Sequence, residues 1–465
     1  MRILVTGATG LVGQKLCEDL LLQGHDVSAL TRNKKKAQTQ VNLPITWHEW
    51  NSPNEEIPSE ALTGLDGIIN LMGENIGEGR WTQKKKKAIY DSRVTATNTL
   101  AQSLLKNSIV LKFYVGASAI GYYQQNKNDE WLNELSPKGS DYLSSICQEW
   151  ELSHGKIPAI RKSIARIGVV LANSGGMLQK LIPIYRLGAG GKIGSGEQWM
   201  SWIHIQDLTR ILIFAATDEK AKGTFNAVAP EAVKNSIFNK ILAMATDRPT
   251  IFPVPAFMLK LILGEASILA LGSQRVQNSH LDRLKFEYLY PTLKKALFDI
   301  CANKAIGIQK NNVFHYVYRK VHFIPIDVKS IFPFFSDATN LETITPDFLK
   351  FKITYQSTDK IMEGTVFRYS LKVNQIPLNW QSKITEWKEN EGFVDYQESG
   401  PYQTWHHEHK FISTEKGTYM VDNVHYRLPF GPIGDTAYLL KVKNDIQNIF
   451  SYRSKVIEKL LVKNS

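Results

Sequence analysis

The stretch "VTGATGLVG" (residues 5–13) lies between an apolar run, "RILVT", and a helical pattern from about Gly13 to Gln23. Its glycines fall at 7, 10 and 13, where strand turns into helix. A turn that tight excludes side chains, and a bare backbone lets a pyrophosphate come close. The helix N-terminus then offers N–H groups and the positive end of its dipole. A glycine triad alone is weak evidence, but here the preceding strand, the following helix and a second strand are all in place. Gly7, Thr9, Gly10, Leu11, Val12 and Gly13 are therefore expected to hold a dinucleotide.

The second strand, "DVSALT", ends at Thr31 and Arg32 with no acidic residue. An NAD site usually puts Asp or Glu there for the ribose 2′-hydroxyl. Arg32 can instead grip a 2′-phosphate, with "NKKK" adding to the local field. The plainer reading of Arg32 is an exposed turn residue, yet NADP is favoured over NAD. Outward from here strands and helices alternate: "GIINLMG", a long helix from about Gln83 to Lys106, "KFYVGAS", a helix opening at Tyr142, and "SIARIGVVL". Such alternation means a doubly wound α/β parallel sheet of Rossmann type. After about 175 the pattern loosens into "LGAGGKIGSGEQWMSWIHIQDL", expected as loop and short strands. Helices return from about 236 to 271, and "YPTLKKALFDI" closes the region.

Residues 302–312, "ANKAIGIQKNN", are polar and aperiodic, and we place a linker there. From 313 aromatic strand-like runs follow one another, with a short helix near "DVKSIFPFFSD" and a long one from about Asp435 to Leu461. That order predicts an α+β domain in which a curved antiparallel sheet grips its terminal helix. The expected domains are thus 1–301 and 313–465, and 465 residues are too many for one ordinary core.

Cys17, Cys147 and Cys301 lie far apart, which speaks against a disulfide framework or zinc knuckle and for a reducing, cytoplasmic setting. The N-terminus is too short and glycine-rich for a signal peptide. "PAFMLKLILGEASILALG" (255–272) is broken by Lys260 and Glu265, so an amphipathic core helix is expected rather than an integral membrane segment. The net charge of +12 gathers in lysine runs without a nucleic-acid-binding motif, so no nucleic-acid partner is expected.

Several motifs occur in one order: "INLMGENIGEGRW", "SRVTATNTL", "GASAIGYY", "CQEWE", "RIGVVLANSGGML", "FNAVAPE", "PVPAFMLKLILGE", "GSQRV" and "YPTL". Together they closely resemble YfcH-type epimerase-family proteins, a branch of the extended short-chain dehydrogenase/reductases, over about residues 1–300. The resemblance implies a Rossmann domain binding NADP, with a small lobe over a substrate cleft. By position it places Gly73, Glu74 and Arg80 near the cofactor and Val169 on the nicotinamide side. "FFSDATNLETITP", "GPYQTWHHEHKF", "VDNVHYRLPFG" and "IFSYRSKVIEKLL" resemble START-like (polyketide-cyclase-like, SRPBCC) helix-grip proteins over 313–465, which implies a cavity for an apolar small molecule.

In the wider superfamily Ser or Thr holds the substrate oxygen, Tyr transfers its proton, and Lys four places on lowers the tyrosine pKa. Ser118 and Tyr142 match the first two positions, but Ile146 stands at the third. Free tyrosine has a pKa near 10. Either another group, such as Tyr122, Tyr123 or His204, serves as acid/base, or catalysis is feeble and the domain mainly binds NADP. Tyr142 also reads as a plain packing residue. In "WHHEH", His407 and His409 share one strand face, but no third ligand stands at a useful spacing, so no metal is expected. The leading expectation is an NADP-dependent oxidoreductase or epimerase-like enzyme acting on a small molecule. The alternative is a non-catalytic NADP-binding sensor or scaffold coupled to apolar-ligand binding.

Overall fold

A computed structural model describes residues 1–41, 43–125, 129–250, 253–301, 316–373 and 376–462. They form two compact units, Met1–Ile300 and Cys301–Ser465. The expected linker, 302–312, and the expected domain start at 313 lie outside the described residues.

The first unit is built on seven strands: β1 (Arg2–Thr6), β2 (Asp26–Thr31), β3 (Thr46–Glu49), β4 (Gly67–Asn70), β5 (Leu111–Ala119), β6 (Ala159–Ile167) and β7 (Gly223–Ala227). All pair in parallel, in the order β7-β6-β5-β4-β1-β2-β3. The order reverses between β1 and β4, so their C-terminal ends open the crevice in which such sheets bind ligands. Leu4, Ile68 and Tyr114 pack on one face against Leu100 and Leu104 of the helix Ala96–Lys106. Helix α1 (Leu11–Leu22) buries Leu16, Cys17, Leu20 and Leu21, the spacing of one helical face.

Three local expectations need correction. The long helix from Gln83 to Lys106 is interrupted at Asp91–Thr95 by a wider, π-type turn. Where loop and short strands were expected, a full helix, α2 (Ile205–Thr217), follows the strand Trp202–His204. Its buried Leu208, Ile211, Leu212, Ala215 and Ala216 have helical spacing, a pattern overshadowed by the glycine-rich run before it. Helix Ala256–Leu263, expected in the core, buries no residue and exposes Phe257, Leu261 and Ile262. Among the described residues no helix is long and apolar enough to cross a membrane.

The second unit has a seven-stranded antiparallel sheet: β8 (Tyr316–Ile324), β9 (Lys352–Gln356), β10 (Val366–Val373), β11 (Ile376–Lys388), β12 (Gly392–Ser399), β13 (Thr404–Thr414) and β14 (Gly417–Arg427). Its order is β8-β14-β13-β12-β11-β10-β9. Helix α3 (Val328–Phe335) sets Ile331, Phe332 and Phe335 against Phe411 and Met420. Helix α4 (Lys443–Ile457) sets Ile446 and Phe450 against Trp405, Val424 and Tyr426.

A buried polar chain ties the first unit together. Asn70 Oδ1 accepts from the Thr6 hydroxyl (2.8 Å) and the Met72 N–H (3.1 Å), and its amide donates to Tyr114 (2.8 Å) and Thr97 (3.2 Å). The Tyr114 hydroxyl lies 2.7 Å from His154 Nδ1, and His154 Nε2 lies 2.9 Å from the Ala117 carbonyl. Nε2 therefore carries the proton and Nδ1 accepts. Gly116 is required here, since a Cβ would stand 2.8 Å from that ring. Burial pushes His154 from its ordinary 6.5 down to about 4. The folded state thus binds fewer protons than the unfolded state between those values. Stability should be complete above about 6.5 and fall as pH drops toward 4, by about 3 kcal/mol. His154→Gln, being non-titrating, should be less stable than wild type at pH 7, with the gap narrowing by pH 4.5. A gap independent of pH in denaturant melts would refute this assignment.

Candidate functional site

The glycine turn leaves no room for side chains. Gly7 has φ +68°, and a Cβ there would stand 2.5 Å from the Leu71 carbonyl oxygen at the end of β4. At Gly13 it would stand 2.2 Å from the Gly7 oxygen, so α1 rests directly on the turn. Gly10 precedes the first helical residues, Leu11 and Val12, without a side-chain cap. The first N–H groups of a helix have no partner within it, and here they sit at the mouth of the crevice. The Thr9 carbonyl is held by Gln14 (2.8 Å) and Gln40 (3.0 Å), which fixes the loop from both sides.

At the end of β2 the Thr31 hydroxyl closes a local turn with Asn33. Arg32 is exposed, next to exposed Lys34, Lys35 and Lys36, and has no hydrogen bond or ion pair among the described residues. Its charge is available to an anion. These features fit a dinucleotide with a 2′-phosphate.

After β4, Gly73 lies against the Arg93 guanidinium, where a Cβ would come within 2.8 Å. Arg93 donates to the Glu74 carbonyl (3.1 Å), while the Glu74 carboxylate pairs with Lys85 (2.7 Å). Arg80 donates to the carbonyls of Leu261 and Ile262. Val169 is half-buried, in the short ladder that Val169–Leu171 makes with Trp202–His204.

Ser118, at the end of β5, donates to Glu151 Oε1 at 2.7 Å. Both oxygens of Glu151 are held by Arg166, at 2.8 and 2.9 Å. Arg166 donates on to the Tyr123 hydroxyl (2.9 Å) and lies 3.5 Å above the Tyr122 ring. Ser118, Tyr122 and Tyr123 thus belong to one network centred on a largely buried ion pair.

Tyr142 belongs elsewhere. Its hydroxyl donates to the Lys86 carbonyl (3.1 Å), and its ring packs on Trp81 with the Lys86 ammonium 4.9 Å away. Ile146 is buried in the same apolar cluster, with Trp81, Ile89 and Ala266. Burial raises the Tyr142 pKa, which disfavours the phenolate. No hydrogen bond joins Ser118 to Tyr142; each hydroxyl donates to its own partner. His204 is a cap, its Nδ1 accepting from the Gln206 N–H (3.2 Å) at the start of α2. It stacks on Tyr290 at 3.8 Å, with Nε2 3.5 Å from Asp299.

Glu151, Arg166 and Arg93 were not anticipated. "CQEWE" contains Glu151, but nothing in its spacing reveals that an arginine on β6 completes it. Asp207, also missed, accepts the N–H groups of Leu289 and Tyr290, both at 2.8 Å, and so docks the segment after 286 onto α2.

Comparison with known proteins fits this geometry. Residues 3–228 match the NAD dependent epimerase/dehydratase family, and residues 254–300 match a domain of unknown function, DUF1731. The chain is 36% identical over 301 residues to the chloroplastic epimerase family protein SDR39U1 homolog of Arabidopsis thaliana, covering 64% of this chain and 86% of that one. It is 34% identical to epimerase family protein YfhF of Bacillus subtilis, covering 65% of this chain and 99% of YfhF. The crystal structure of human epimerase family protein SDR39U1 with NADPH superposes with a TM-score of 0.58 at 31% identity, covering 64% of this chain and 99% of the human one. A glycine turn without side-chain room, a parallel sheet reversing at β1 and β4 and these relatives agree: the chain belongs to the NAD dependent epimerase/dehydratase family, as an epimerase family protein of the SDR39U1/YfhF type.

Proposed function

We propose that the first unit binds NADP(H) and acts as an oxidoreductase or epimerase-like enzyme on a small molecule. The observation that carries the cofactor assignment is the glycine turn followed, at the end of β2, by an exposed arginine without a partner among the described residues. Gly7, Thr9, Gly10, Leu11, Val12 and Gly13 would receive the pyrophosphate, and Thr31 and Arg32 the 2′-phosphorylated ribose. Gly73 and Glu74, at the end of β4, would border the same crevice. When bound, the nicotinamide supplies a hydride donor or acceptor.

The residues fitted to move a proton are Ser118 and Glu151. A substrate hydroxyl can donate to Ser118 Oγ while Ser118 donates to Glu151, so a proton passes to the carboxylate through serine. Arg166 holds that carboxylate in place, and the Tyr122 ring beneath fixes Arg166. Tyr142 has no part in this relay, because its proton is committed to a backbone carbonyl. One observation favours the alternative, a non-catalytic NADP-binding sensor: the hydroxyls of Ser118 and Tyr142 both donate within the protein.

For the second unit we propose a START-like helix-grip domain. What supports it is the sheet with α4 across one face and a cavity of ≈ 90 Å³. Phe334, Phe335, Leu341, Ile344, Phe367 and Ile384 wall the cavity, and Asp395, His407, His409 and Arg453 give it a polar end. It suits a small, mostly apolar ligand with one polar group.

By calorimetry NADPH should bind more tightly than NADH, and Arg32→Ala should weaken NADPH roughly 10- to 100-fold while sparing NADH. Equal wild-type affinities would contradict the cofactor assignment. In a screen of carbonyl and hydroxyl compounds, Ser118→Ala should lower turnover roughly 100-fold and Tyr142→Phe only a few-fold. The reverse order would return the proton to tyrosine. NADPH binding without any turnover would favour the sensor. Residues 301–465 expressed alone should melt cooperatively; a non-cooperative fragment would show that the unit is not an independent fold.

A further inference from the structure

The polar end of the cavity in the second unit holds more donors than its hydrogen bonds use. His407 and His409 alternate along β13 onto one face, and Asp422 of β14 stands in register with His409 on the same face. All three side chains are more than nine-tenths buried. Their ligand atoms lie within 4.8 Å of one another. One oxygen, Asp422 Oδ1, lies 2.9 Å from His407 Nε2 and 3.1 Å from His409 Nδ1. The first contact is a hydrogen bond; the second is in ion-pair range but off the hydrogen-bond direction, which leaves His409 Nδ1 buried without a hydrogen-bond partner.

We propose that His407, His409 and Asp422 form a binding site for a divalent transition-metal ion, of the two-imidazole, one-carboxylate kind that takes Zn²⁺ or Fe²⁺. Adjacent donors about 2.1 Å from one ion stand about 3 Å apart, the spacing both nitrogens already have from the carboxylate oxygen. Arg453 Nη1, 3.8 Å from Asp422 Oδ1, now balances that carboxylate, and the ion would share the role. His407 and His409 also line the cavity beside Asp395, whose Oδ1 is buried without a hydrogen-bond partner. An ion held by three protein ligands would therefore keep its remaining positions toward the cavity. The site stands independently of which organic ligand the cavity takes.

The test uses the full-length protein, freed of metal by chelation and titrated with Co²⁺. One equivalent should bind saturably, with the visible absorption of a nitrogen- and oxygen-ligated ion. His409→Gln and Asp422→Asn, each checked for a retained melting transition, should weaken binding roughly 100-fold or more. Because removing a buried ligand can unfold the unit, a second readout uses wild type alone. Loaded with one equivalent of Cu²⁺, it should show two bound imidazoles by electron spin-echo spectroscopy. Absence of saturable Co²⁺ binding, absorption unchanged in the folded variants, or fewer than two imidazoles on Cu²⁺ would overturn the proposal.

Discussion

The Asn70 carboxamide is the point on which the first unit turns. It sits fully buried at the end of β4, where the strand order reverses, and makes four hydrogen bonds. A buried amide left half-satisfied would cost several kcal/mol, so the groups it meets are fixed as a set. Thr6 belongs to β1 and leads into the glycine turn, Thr97 to the helix after the π-type turn, and Tyr114 to β5. Through Tyr114 the chain of bonds reaches His154, on the helix that carries Tyr142, Ile146 and Glu151. The glycine turn and the helix that carries Glu151 are thereby tied to one side chain. The crevice is preorganised by polar satisfaction as much as by apolar packing.

That helix is also where this chain departs from the wider superfamily. An apolar residue at 146 turns one face of the helix into a packing surface, and Tyr142 follows it into the cluster around Trp81. One turn further on, Glu151 faces Ser118 and is clamped by Arg166. A carboxylate of that kind is costly to bury unless it is paired and hydrogen-bonded, and here it has a bidentate partner and a serine donor. Ile146 and Glu151 thus give the same helix an apolar face on the Trp81 cluster and a charged one toward Ser118 and Arg166.

Much of this was legible in the sequence, and what was not shares one physical cause. The glycine turn, the parallel sheet, Arg32 and the aromatic antiparallel sheet are encoded locally, in a tight turn, a missing acid or a strand period. The misses depend on partners distant in the chain. Glu151 gains its meaning only from Arg166 on the neighbouring strand. The third potential ligand beside His407 and His409 comes from the pairing of β13 with β14, which spacing within one strand cannot reveal. Helix α2 had its period in plain view but followed a glycine-rich run whose looseness suggested loop. The apolar segment at 255–272 shows the limit of composition: its hydrophobicity indicates helix, but not whether that helix is covered.

The central claim is that the hydrogen-bonded pair at the crevice is Ser118 with Glu151, and that Tyr142 is structural. A crystal structure of the protein with NADPH bound tests it most directly. The account predicts the Tyr142 hydroxyl still on the Lys86 carbonyl and Ser118 still on Glu151, with the cofactor pyrophosphate on the glycine turn. A structure in which Tyr142 has left Lys86 to hydrogen-bond Ser118 or the cofactor would contradict it.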